Sequence, residues 1–185
     1  MSKKTITIFG SSIPKEGEDE FETAYRLGKL LAKNNFNVCT GGYGGIMHAV
    51  SKGAIEESGE AIGITVGLWD TTPSKYLTRE IKCNSLFERI SKLVEAGDAF
   101  IVLQGGTGTL LELAVVWEFM NKSLLESKPI LCHSKMWKEI VYIMDKQIKK
   151  EKRITGLIRY CQNVDGIVEY LSNHFKELYY KGLKN

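Results

Sequence analysis

Apolar and polar positions alternate between two periods along this chain. Short apolar runs of strand length are followed, again and again, by longer segments with apolar residues at helical spacing. The first run, Thr5-Ile6-Thr7-Ile8-Phe9, predicts a strand. An acidic loop over 13–20 leads to a helix over 21–34, with Ala24, Leu27, Leu30 and Leu31 on one face. Strand 36–39 is followed by a helix that ends near Ser58-Gly59, where glycine suits the position just past a helix. Strand 61–66, a loop over 68–74 containing Trp69 and Pro73, a short strand over 80–83 and a helix over 86–96 come next. The run 99–103 is the most apolar, which predicts a central strand. A helix over 109–121, strand 129–133, helix 136–150, an edge strand over 160–163 and a helix over 166–180 complete the reading. Regular alternation of this kind implies an α/β fold, a doubly wound parallel sheet in three α/β/α layers. No repeat or linker divides residues 1–185, which read as a single domain.

Three predicted strands end in turns rich in glycine and hydroxyl residues. Gly10-Ser11-Ser12 closes the first strand. Thr40-Gly41-Gly42-Tyr43-Gly44-Gly45 closes the second and opens a helix at Ile46-Met47-His48. Gln104-Gly105-Gly106-Thr107-Gly108-Thr109 closes the apolar strand and leads into Leu110-Leu111-Glu112. In a parallel sheet all three lie at the carboxyl edge, where ligands bind. Helix N-termini offer unpaired N–H groups and the positive end of a dipole, and glycine lets a phosphate approach the backbone. The loops therefore predict a phosphorylated small molecule. Gly105, Gly106, Thr107, Gly108 and Thr109 are its main cradle, Gly41, Gly42, Gly44 and Gly45 are supporting candidates, and Ser11, Ser12 and Met47 are further contacts. Ser11 and Ser12 serve equally well as local caps, and Met47 as core. Glu112 is the odd member. A carboxylate repels a phosphate unless it has chemistry to do, the plain alternative being a first-turn glutamate that favours the helix dipole.

Composition narrows the field without choosing within it. A 43% apolar and 25% charged chain with net charge +3 is ordinary for a globular protein and carries no nucleic-acid signature. Cys39, Cys83, Cys132 and Cys161 form no C-x-x-C pair, and the histidines have no ligand spacing, so no metal site is expected. Met1-Ser2-Lys3-Lys4 contains no apolar leader region and no run approaches a membrane span, so the expectation is a cytoplasmic protein without a membrane partner. A dehydrogenase would show G-x-G-x-x-G after the first strand, and a P-loop would show Gly-Lys-Ser/Thr; neither is present.

The three motifs, in this order and spacing over 5–129, resemble the LONELY GUY (LOG) family, often labelled as lysine decarboxylases. The resemblance implies a Rossmann-like fold, a homodimer with sites near the subunit interface, and no cofactor. It also implies cleavage of the N-glycosidic bond of AMP or a cytokinin riboside 5′-monophosphate to free base and ribose 5-phosphate. The family's functional pair is the glutamate of Pro-Gly-Gly-x-Gly-Thr-x-x-Glu, matched by Glu112, and an arginine in Met-His-x-Arg-Lys, matched by Arg89. On its own, Arg89 reads equally as a solvated arginine on a helix face beside Glu88. Here Gln104 stands in place of the motif's proline, Leu86-Phe87 in place of Met-His, Ile90 in place of the lysine, and His48 where many members have glycine. Related proteins bind nucleotide-like ligands or carry molybdenum cofactor without hydrolysis, which is the alternative. A decarboxylase would need a Schiff-base lysine that nothing in the chain marks.

Overall fold

A computed structural model describes residues 3–68 and 71–182. Trp69 of the predicted 68–74 loop, and Met1 and Ser2 ahead of the first strand, lie outside the described residues. Seven parallel strands form one sheet in the order β4-β3-β2-β1-β5-β6-β7. They are β1 (Thr5–Phe9), β2 (Asn37–Thr40), β3 (Ala61–Val66), β4 (Arg79–Cys83), β5 (Ala99–Val102), β6 (Ile130–Cys132) and β7 (Ile158–Tyr160). Helices α1 (Asp19–Lys33), α2 (Gly45–Glu56) and α6 (Val164–Gly182) bury residues such as Leu27, Val50 and Leu171 against one face. On the other face lie α3 (Leu86–Ala96), α4 (Thr107–Asn121) and α5 (Lys135–Lys150), through Leu93, Val116 and Trp137. This is the expected three-layer, doubly wound architecture.

Strand order reverses between β1 and β5, and that is where the fold puts a crevice. The two strands are in register from Ile6↔Ala99 to Phe9↔Val102, and beyond them Ser11 N–H donates to the Gln104 carbonyl at 2.9 Å. The first and third glycine-rich turns are thereby held side by side. The middle strand of the seven is β1, not β5 as its apolarity predicted. β5 is buried throughout and β1 from Ile6 onward, and a four-residue run cannot distinguish the centre from its neighbour.

Other departures are shifts of boundary. α1 begins at Asp19, so its acidic residues belong to the first turn, where the dipole favours them. β7 is Ile158–Tyr160 rather than 160–163, because Ile158 is the side chain that pairs with Ile130 and is buried. α4 begins at Thr107, two residues before the expected start. No helix among the described residues is long and apolar enough to cross a membrane.

Candidate functional site

At the carboxyl edge, beside the β1/β5 reversal, lies a cavity of about 470 Å³. Its floor on one side is the start of α4. Gly106, at the N-cap, and Thr107, Gly108 and Thr109 of the first turn all line it. No side chain caps this helix, so its first N–H groups and the positive end of its dipole are presented to whatever occupies the cavity. A Cβ built on Gly106 or Gly108 would meet nothing within 4 Å, which leaves both flanks open to a ligand. Ser11, Ser12 and Met47 also line it.

Glu112 and Arg89 meet in this cavity. The Arg89 Nη1 to Glu112 Oε1 distance is 3.5 Å, and the side chains keep only 8% and 12% of their exposure. The earlier start of α4 matters here. Glu112 falls in the second turn, and the first turn contains no acid. Neutralising the helix dipole therefore does not explain its placement. Burial pushes its carboxyl up to about 7, against the Arg89 charge, which pulls it down. A carboxyl that titrates near neutrality can accept a proton and give it back.

Arg89 is buried, not a solvated helix-face residue. Nε donates to the Ile64 carbonyl at 2.8 Å and Nη2 to the Gly41 carbonyl at 3.2 Å, so β3 and the turn after β2 fix the plane of the guanidinium. The Tyr43 ring lies 5.8 Å from its central carbon. That ring is itself locked, because the Tyr43 hydroxyl donates to the Val66 carbonyl (2.5 Å) and accepts the Val66 N–H (2.8 Å). A planar, multi-donor cation is needed for such a seat, and lysine could not fill it.

The remaining candidates have other neighbours. Gly41, Gly42, Gly44, Gly45 and Gly105 are not among the residues that line the cavity; they shape its walls. A Cβ at Gly41 would lie 1.7 Å from Arg89 Nη2. Gly42 and Gly45 have φ of +78° and +62°, the left-handed region that favours glycine. At Gly45 a Cβ would also stand 2.3 Å from the Ser11 carbonyl oxygen, which accepts the Ile46 N–H at 2.8 Å. Close packing of α2 on the first turn requires Gly45, as the Arg89 seat requires Gly41, and such requirements are indistinguishable in sequence from phosphate binding. Gly105 sits against Thr109, whose Oγ1 would be 2.1 Å from its Cβ. Gly41→Ala is accordingly expected to expel the guanidinium and lower the thermal midpoint by more than Gly106→Ala does, as differential scanning fluorimetry of the two variants would record.

Three lining residues escaped the sequence reading: Gly10, Tyr43 and Thr71. Tyr43 had a signal, an aromatic set between two glycine pairs. Thr71 had none, since it comes from an irregular segment. The described residues hold no cluster of three or more His, Cys, Asp or Glu that could bind a metal ion.

The sequence model of the SLOG cluster4 family matches residues 3–165. The cytokinin riboside 5′-monophosphate phosphoribohydrolase of Rhodococcoides fascians is 26% identical over 132 residues, 68% of this chain and 65% of that protein. The chain spans between 52% and 65% of the length of the curated relatives it matches. Among solved structures, the molybdenum cofactor carrier protein of Chlamydomonas reinhardtii aligns with a TM-score of 0.73 at 22% identity, over 92% of this chain and 97% of that one. The molybdenum cofactor binding protein of the phototrophic bacterium Rippkaea orientalis gives 0.75 at 21%, over 95% and 99%. At these identities the likeness is one of fold.

Proposed function

We propose, from the premise that this chain belongs to the SLOG cluster4 family, that it hydrolyses the N-glycosidic bond of a nucleoside 5′-monophosphate of the AMP or cytokinin riboside type. The observation that carries the reading is the buried Glu112 carboxyl, paired with Arg89 and set one helical turn beyond an uncapped helix start. The relatives named phosphoribohydrolases lend it support.

The 5′-phosphate occupies the start of α4, where backbone N–H groups and the hydroxyls of Thr107 and Thr109 supply donors. The ribose then lies towards Glu112. As the bond from C1′ to the base nitrogen breaks, its electron pair leaves with the base and positive charge builds on the sugar. The Glu112 carboxylate stabilises that charge. Water adds its oxygen to C1′, and its proton passes through Glu112 to the departing base. The products are free base and ribose 5-phosphate. Arg89 holds the carboxylate in place and keeps a share of it ionised at neutral pH. Ser11 and Ser12 offer further hydroxyls to the ligand, and Met47 lines the pocket for its apolar part. Incubation of the pure protein with nucleoside monophosphates, followed by chromatography for free base, tests this reading. Intact nucleotides would favour a carrier that uses the same cradle.

The site also adjoins a surface suited to a second copy of this chain. α4 is apolar on nearly every side, a pattern that belongs to helices covered on both faces. One face packs on the sheet through Leu113, Val116 and Trp117, while Leu110, Leu111 and, two turns further along, Phe119 are left about 40% exposed. We assign this exposed surface to a homodimer, in which a helix that lines the cavity is also the contact. Phe119→Glu is expected to halve the mass measured by light scattering; an unchanged dimer would remove α4 from the interface.

A further inference from the structure

β3 and β4 are adjacent and parallel, yet the described residues between them, 67–68 and 71–78, contain no helix. A parallel connection must return the length of the strand, and a helix usually holds it in place. This connection depends on individual contacts. At its far end, Thr78 N–H and Thr78 Oγ1 both donate to the Ala61 carbonyl, at 2.8 and 3.0 Å. Leu77 packs over Gly63, where a Cβ would lie 2.4 Å from Leu77 Cδ1. Midway, Ser74 is buried, while Thr72 and Lys75 on either side are exposed.

Ser74 joins the connection to two parts of the site. Its N–H donates to the Gly42 carbonyl at 2.8 Å, in the loop that seats Arg89. Its hydroxyl lies 3.0 Å from His48 Nδ1 and accepts the Tyr76 N–H at 3.3 Å. The His48 ring meets the Tyr76 ring edge-on, with centroids 5.0 Å apart. His48 follows Met47 in the first turns of α2, and Thr71, three residues before Ser74, lines the same cavity as Met47.

The geometry points to His48 and Ser74 as a positioning pair that clips the β3–β4 connection to α2 and so holds Thr71 on the cavity wall. The histidine stands where a glycine would supply no side chain to clip. Neither residue touches the reacting atoms. The pair acts on ligand retention, and its catalytic consequence rests on the hydrolase reading above.

Two readouts test it. Lys75 is exposed and adjoins the clip, so trypsin cleavage after Lys75, followed by mass spectrometry, reports release of the connection without reference to activity. Ser74→Ala is expected to speed that cleavage roughly 3- to 10-fold, as loss of one buried hydrogen bond implies. His48→Ala should do the same, and the double variant should be no faster than either. His48→Asn, which places an amide nitrogen where Nδ1 stood, should restore slow cleavage. With AMP, the single variants should raise KM by a similar factor with little change in kcat. Cleavage after Lys75 at the wild-type rate in Ser74→Ala would overturn the clip. Faster cleavage in a protein that never turns over AMP would sustain the clip and sink the hydrolase reading instead.

Discussion

Glu112→Ala is expected to lower turnover of AMP by roughly 10²- to 10⁴-fold, the range for a positioned acid–base group. Nucleotide affinity should change little. The phosphate cradle is formed by backbone groups of α4, and alanine at 112 leaves the helix intact. The loss therefore belongs in kcat, since the contact removed is one made in the transition state rather than in the bound ground state. Steady-state kinetics, with affinity measured separately by calorimetry, separates the two. A variant that lost binding and turnover in equal measure would mark Glu112 as a residue that shapes the pocket and does no chemistry.

Arg89→Ala should have the second largest effect, and its signature is a pH profile. Burial raises the Glu112 carboxyl to about 7 even with the guanidinium beside it. The active form is the carboxylate, so in the wild type kcat/KM should fall as pH drops through about 7. The second ionisation of a phosphate monoester, near 6, lies lower and separates from this limb. Without Arg89 only the burial remains, and the acid limb must move to higher pH. An opposite charge at this range shifts a carboxyl by about 1–3 units, and a group half ionised at pH 7 loses about fivefold of its carboxylate for the first of them, so activity at pH 7 should drop by at least about fivefold. Raising the pH should recover part of it. Arg89→Lys should recover little, because one ammonium cannot serve both the Ile64 and the Gly41 carbonyls. A loss of activity with no movement of the limb would separate Arg89 from Glu112 and make the arginine a ligand contact.

The sequence carries the architecture clearly, because hydrophobic periodicity is a local signal. Every strand and helix of the alternation is present, and the errors are of one to three residues at the ends, the largest at β7. The turn after β5 was legible for the same reason: three glycines and two threonines exceed what a turn needs, and Gly106, Thr107, Gly108 and Thr109 do line the cavity. The resemblance to the LONELY GUY family, carried by three motifs in order, is matched by relatives named for that activity.

What the residues could not reveal was set by contacts distant in sequence. Gly41 and Arg89 are 48 positions apart, and only the fold shows that one is a glycine because the other needs its space. The same holds for Arg89 itself, whose pattern on α3 suits a solvated helix face. Glu112 was recognised as anomalous for its charge. Its burial, which makes it a titrating group near neutrality, belongs to the folded cavity in which Arg89 of α3 meets it from 23 positions away. Tyr43 is held by Val66, 23 residues away, and Thr71 arrives on a connection with no periodicity at all.

The central claim is bond cleavage, and one measurement addresses it directly. AMP and a panel of other nucleoside 5′-monophosphates are incubated with the pure protein and with Glu112→Ala, and the mixtures are resolved by chromatography. Free base and ribose 5-phosphate should appear in equal amounts with the wild type and be lost in the variant, and the panel then gives the base preference. Intact nucleotides throughout, or equal turnover by the Glu112 variant, would contradict the account.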